Sequence, residues 1–395
     1  MSWIFLLELL LGFFCVVVVL YDVFQSVVVP RWTGRTLRLS PYFVDWVWPR
    51  WRNFALKRLR NQRREDFLGN FAPFALMSIL LMWVMVLIFG YGLMLHALGD
   101  GLRPQIRDYG SAFWVAGTSL LTIGFGDIVG VSAASRVIML AAGASGLSMV
   151  ALVISLTFTL YDAFKQREIL VLTLDARAGT PPSGVMLLET YARFDLLDDL
   201  APTFGAWEMW SAQMLETHLA YPLLPFFRSS HDSESWVSAM GAVLDAATLV
   251  LTTVEVGRDD AGIEYSIRSR GQAHMMYGLG CHAVTDLSHW LRFRIAAPQH
   301  ATRDESLRDE ALRDESLRAA ERNVGVERGE WLAARRRLAK VGYALREENE
   351  SWRDFVEHRA VYAESLNLLA RYFASPPTQW IGDRSSISHL HHRAG

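Results

Sequence analysis

Hydrophobic positions are spread unevenly along the chain. Three long runs dominate: Trp3–Val29, Phe71–Leu95 and Val137–Tyr161. The last two contain no charged residue, and each exceeds the roughly 20 residues that a helix needs to cross a bilayer. The first carries Glu8, Asp22 and Gln25 and is the least uniform. It lacks a basic leader and a small-residue cleavage pattern, so it reads as a span rather than a secretory signal. Between the second and third runs, Tyr109–Gly130 is too short and too interrupted to cross. Its first part, 111–121, is apolar and helix-compatible, and Thr122–Asp127 is rich in glycine. After Glu168 the pattern becomes that of an amphipathic helical domain, punctuated by proline-containing turns. Helices are expected over 186–200, 205–221, 234–255, 271–293 and 331–373, the last one broken. Val237–Val254 is nearly apolar enough to span, but Asp245 in its middle favours a buried bundle helix.

Charge sharpens this division. Residues 1–165 hold 14 Lys/Arg and 9 Asp/Glu, a net of +5, whereas 166–395 hold 25 and 32, a net of −7. The whole chain of 395 residues is 51% hydrophobic and 20% charged, with a net charge of −2, which excludes disordered and collagen-like classes. Cys15 and Cys281 are its only cysteines and are not expected to pair, so a disulfide scaffold is excluded as well. Ten basic residues and one acid lie between Arg31 and Arg64. The positive-inside rule then places the N-terminus outside, and residues 31–70 and everything after Lys165 in the cytoplasm. Within 41–64, tryptophans and apolar residues alternate with Arg and Lys, as in a helix lying on an anionic leaflet. A nucleic-acid surface is the competing use of such a pattern. Placement between two spans favours lipid, and no nucleic-acid partner is expected.

The hexapeptide Thr122-Ile123-Gly124-Phe125-Gly126-Asp127 carries the chemistry. Non-helical backbone at membrane depth is tolerated only where protein buries it or water lines it. A dehydrated cation needs oxygens in place of its lost waters, and rings of backbone carbonyls plus a threonine hydroxyl supply them. Gly124 and Gly126 can take positive φ without a Cβ penalty. Asp127 would attract cations at the outer mouth.

A span, a half-helix, this hexapeptide and a second span closely resemble the pore of potassium channels. The resemblance implies an all-α membrane protein with potassium-channel pore architecture at 71–165: span 71–95, pore helix 111–121, selectivity filter 122–127 and span 137–161. An extra N-terminal span (1–30) and the basic loop (31–70) precede it. A mainly helical cytoplasmic domain (166–375) and a tail (376–395) follow. It also implies a homotetramer, because each chain supplies one pore segment, and permeant K⁺ as the only bound species, with no cofactor and no catalysis. Trp114, eleven positions before Phe125, matches the family's pore-helix tryptophan, and Thr118 supports the same helix. Phe125 stands where tyrosine is usual and cannot donate that residue's hydrogen bond, so packing is expected to hold the filter. This leaves a non-selective cation channel open beside a K⁺-selective one. Gly146, with Gly143 as its neighbour, matches the family's gating hinge and reads equally as a close-packing position. No span repeats arginine every third residue, so a voltage sensor is not expected.

Segments Asp22–Arg31, Arg167–Pro182, Glu216–Pro222 and Arg228–Asp232 resemble a bacterial group of pore-containing membrane proteins. That resemblance implies a bacterial inner membrane and speaks to domain plan rather than gating. The second half contains no dinucleotide fingerprint, P-loop or nucleophile elbow, and Tyr277–His282 matches the first only in part. A signalling protein that uses its membrane half as an anchor is the third reading, and the hexapeptide argues against it. Glu216, His218, His231, Asp232, His282 and Asp286, with His274 and His289 nearby, form a candidate ligand cluster. A structural hydrogen-bond network is the plainer reading. Arg303–Arg318 is a tandem five-residue repeat with i,i+4 acid–base pairs, read as a solvated helix or insertion.

Overall fold

A computed structural model describes residues 3–27, 39–229, 235–255, 260–291, 293, 320–321 and 324–381. The chain divides into two compact units. The first runs to Ala163 and includes Ala220–Phe227; the second takes Phe164–Leu219 and the chain from Arg228 on.

In the first unit α1 is Trp3–Val27, α2 Leu39–Arg58, α3 Asn61–Gly69, α4 Phe71–Ala97 and α5 Tyr109–Leu120. The sixth helix, α6, is Ala133–Ala178, and the boundary between units falls within it. Among the described residues, three helices are long and apolar enough to cross a membrane: Trp3–Val27, Gln62–Ala97 and Ala133–Ala178. Helix α1 packs along α4 at a pair of glycines, where a Cβ on Gly12 would stand 2.4 Å from the Gly90 carbonyl oxygen. Small residues permit this approach in lipid, where close packing rather than the hydrophobic effect joins helices. A two-residue antiparallel ladder pairs Leu102 with Gly130 (β1, Leu102–Arg103; β2, Val129–Gly130).

The interfacial segment differs from its expected form. Trp48 and Trp51 pack inward against other rings of the unit. Trp48 is buried against Phe71 and Phe226, with ring centroids 4.7 and 5.0 Å away. Trp51 stacks on Phe67 at 4.4 Å and donates its indole N–H to the Phe67 carbonyl. Five aromatic rings, those of Trp48, Trp51, Phe67, Phe71 and Phe226, bury their faces and edges against one another here. The same contacts draw Ala220–Phe227, expected in the second domain, into the first unit. Trp46 stays exposed, with the Arg50 guanidinium 4.1 Å above its ring.

Asp22 is a costly charge near the end of α1. It is fully buried, and its carboxylate accepts hydrogen bonds from the Ser40 backbone N–H (3.0 Å), the Ser40 hydroxyl (2.9 Å) and the Trp83 indole (2.8 Å). A carboxylate is well placed there because Ser40 lies in the first turn of α2, where N–H groups lack intrahelical acceptors.

The second unit is a helical bundle: α7 Gly184–Arg193, α8 Leu200–Ala220 (to Leu219 in this unit), α9 Trp236–Thr252, α10 Asp260–Trp290, α11 Arg328–Lys340 and α12 Glu348–Phe373. Every residue of α9 is buried, which explains its near-transmembrane composition. Its one charge, Asp245, accepts from Arg359 Nε at 2.9 Å and from the Tyr362 hydroxyl at 2.7 Å. The same Arg359 donates to the carbonyls of Val324 and Trp380, holding both flanking segments on the bundle. The 331–373 stretch breaks at 341–347, with Gly342 at φ +100°. The repeat 303–318, His231, Asp232 and the tail beyond 381 lie outside the described residues.

Candidate functional site

The site is the loop after α5. That helix starts with Asp108, whose carboxylate accepts the Ser111 backbone N–H at 2.8 Å, satisfying one of the free donors of its first turn. It spans Tyr109–Leu120, over the stretch read as a half-helix at 111–121. Its last carbonyls carry the loop. Thr118 O accepts the N–H groups of Ile123 (2.8 Å) and Gly124 (3.2 Å), and Ser119 O accepts that of Thr122 (3.0 Å). Thr118 itself is buried and bonds back to Val115 O.

The backbone of the hexapeptide alternates. Thr122, Gly124 and Gly126 have φ of +57°, +57° and +78°, while Ile123 and Phe125 are not in the left-handed region. Glycine meets this demand freely. Thr122 does not, since a β-branched residue held there costs about 1–3 kcal/mol. Its strain was not legible in the sequence, which marks only the glycines. All six residues, Thr122 to Asp127, present exposed surface.

Packing is not the whole support of this loop. Phe125 does stack on Trp114, with centroids 5.4 Å apart and planes within 4°. Trp114 also donates its indole N–H to Asp127 Oδ2 at 2.9 Å. The hydrogen bond that Phe125 cannot make is thus replaced by one reaching past it to the next acidic residue. The expectation of packing alone was wrong because Trp114 offers both a ring face and a donor edge.

Gly146 faces the far end of α5. A Cβ there would lie 1.7 Å from the Leu120 carbonyl oxygen, while one on Gly143 would stand 3.4 Å from Ser119 O. Helix α6 is continuous through both, and the Tyr91 hydroxyl meets Ser145 Oγ at 2.7 Å. Gly146 is therefore a close-packing residue under the loop.

The family match falls on this region. Residues 78–162 match the family model of an ion channel. No curated protein and no solved structure matches the chain. The matched segment includes α5, the hexapeptide and Gly146, and it points to ion transport across a membrane rather than to enzymatic catalysis.

The cluster read in the second half does not assemble among the described residues, where no group of three or more His, Cys, Asp or Glu could hold a metal. His218 is buried, with Nε2 3.3 Å from Arg167 Nη1. Burial first, and the Arg167 charge second, hold its imidazole well below the usual range. Glu216 is exposed on α8, the helix that also carries the buried His218, and His274 is exposed on α10. His282 is exposed and pairs with Asp286, at 3.4 Å along one helix face.

Proposed function

We propose that the chain forms a potassium-selective channel, with four copies contributing Thr122–Asp127 to one central filter. One observation carries this reading: positive φ at every second residue of the hexapeptide, in a loop hung from a short helix. In an extended strand successive carbonyls point to opposite sides. Alternating the sign of φ rotates alternate peptide planes, so that carbonyls share one side and can replace a cation's water shell. The cytoplasmic unit gates or assembles the pore, and the exposed Trp46, Arg50, Lys57 and Arg58 of α2 meet anionic headgroups of a bacterial inner membrane. In this orientation the N-terminus is outside and the second unit inside.

The test is K⁺ flux through the full chain in liposomes. Wild type conducts, and Gly124→Ala abolishes the flux at unchanged oligomeric state. Equal flux in that variant would refute the pore. Reversal potentials in opposed K⁺ and Na⁺ gradients decide between K⁺ selectivity and the non-selective reading that Phe125 leaves open.

A further inference from the structure

Glu8 is a costly residue. A carboxylate within an apolar span persists where partners meet it. Two do. The Tyr109 hydroxyl donates to Oε1 at 2.6 Å, and His96 Nδ1 lies 2.8 Å from Oε2. The His96 and Tyr109 rings stack on each other, 4.1 Å apart and 21° from parallel. The three residues come from three helices: α1, the last turn of α4 and the first residue of α5. Glu8 is buried and lies outside residues 78–162, the segment that matches the ion-channel family.

We infer that Glu8 is a positioning residue for the filter, and that the accessory helix α1 is therefore a working part of the permeation pathway. The argument rests on the pore reading above. Helix α5 has 12 residues, about 18 Å of rigid rod. One end is fixed by the Asp108 cap and by Tyr109 on Glu8. The other end presents the Thr118 and Ser119 carbonyls that hold Thr122, Ile123 and Gly124. A shift at the first end moves the second with it, because a regular helix does not absorb it within its own length. Helix α1 can resist such a shift, since its Gly12 backbone seats directly on Gly90 of α4. Two anchors thus reach the helix that carries the filter, one from its own cap and one from a segment added outside the pore.

The experiment uses the full chain in planar bilayers with opposed K⁺ and Na⁺ gradients. Tyr109→Phe removes only the hydroxyl and keeps the stacked ring. Glu8→Ala removes the acceptor, and Glu8→Gln restores a neutral one for Tyr109. Tyr109→Phe and Glu8→Ala are each expected to change the K⁺/Na⁺ permeability ratio by about fivefold or more, the lower range for coupled sites. The double variant should be no worse than the more severe single one, and Glu8→Gln should recover most of the wild-type ratio. Oligomeric state and thermal midpoint of Tyr109→Phe should match wild type, which separates positioning from a folding defect. An unchanged ratio in Tyr109→Phe, additive effects in the double variant, or no recovery in Glu8→Gln would each overturn the inference. A wild-type chain that passes no cation overturns the channel reading instead.

Discussion

Replacing Gly146 by alanine separates two readings of one glycine. The added Cβ would sit 1.7 Å from the Leu120 carbonyl oxygen, and such contacts are not found under 3.0 Å. The two helices must part by more than about 1.3 Å, the difference between those distances, against backbone that has no flexible end to swing aside. Overpacking of this kind costs about 1–3 kcal/mol. Gly143 supplies the control on the same helix, because its Cβ would meet Ser119 O at 3.4 Å, an ordinary contact. Alanine there should be neutral or stabilising, by up to about 1 kcal/mol from helix propensity. The assay is thermal unfolding of the purified full chain in detergent, paired with K⁺ flux after reconstitution. Gly146→Ala should lower the midpoint and reduce flux together, since Leu120 ends the helix on which the hexapeptide loop hangs. Gly143→Ala should do neither. A gating hinge predicts the opposite pairing, with Gly146→Ala as stable as wild type and altered only in opening. That result, or equal stability of the two variants, would refute the close-packing argument.

Four further outcomes follow from buried polar groups. Asp22→Ala leaves the Ser40 and Trp83 donors without their carboxylate and should cost about 1–3 kcal/mol, read as a lower thermal midpoint. Arg359→Met removes the buried guanidinium that meets the Asp245 carboxylate and should destabilise the second unit by about 3–5 kcal/mol, seen as faster limited proteolysis within the bundle. His218 is held neutral in the folded state, so below about pH 6.5 the unfolded chain takes up a proton that the folded one refuses. Stability should therefore fall as the pH drops through that point, by up to about 1.4 kcal/mol per pH unit, and His218→Gln should flatten the slope. Burial pushes the Cys281 thiol up to about 12, so iodoacetamide at pH 7.5 should label it only after denaturation.

Much of the architecture is legible from local pattern. A charge-free run of 25 residues is long and apolar enough to cross a bilayer as a helix, and Phe71–Leu95 and Val137–Tyr161 show this without any tertiary information. The hexapeptide is equally local, because Gly124 and Gly126 advertise the dihedrals they take. Thr122 shares those dihedrals and is not legible, since nothing in a threonine announces a left-handed backbone. The tryptophans of α2 show a different limit. Composition assigned them all to the membrane surface, but Trp48 and Trp51 are covered by Phe71, Phe226 and Phe67. A sequence pattern reports that a side chain is amphipathic and not which surface reaches it first.

Sequence by itself determined three helices apolar enough to cross a membrane, a loop rich in glycine between two of them, and a helical second half with one nearly apolar core helix. It also marked Glu8, Asp22 and Asp245 as expensive. Only tertiary structure decided who compensates each of them. Glu8 is met by residues 88 and 101 positions away, Asp22 by Trp83 at 61, and Asp245 by Arg359 at 114. The cost of burying a charge is a property of one residue and its neighbours in sequence. Its repayment depends on donors that the fold brings from elsewhere, over distances at which the chain carries no local record of the pairing.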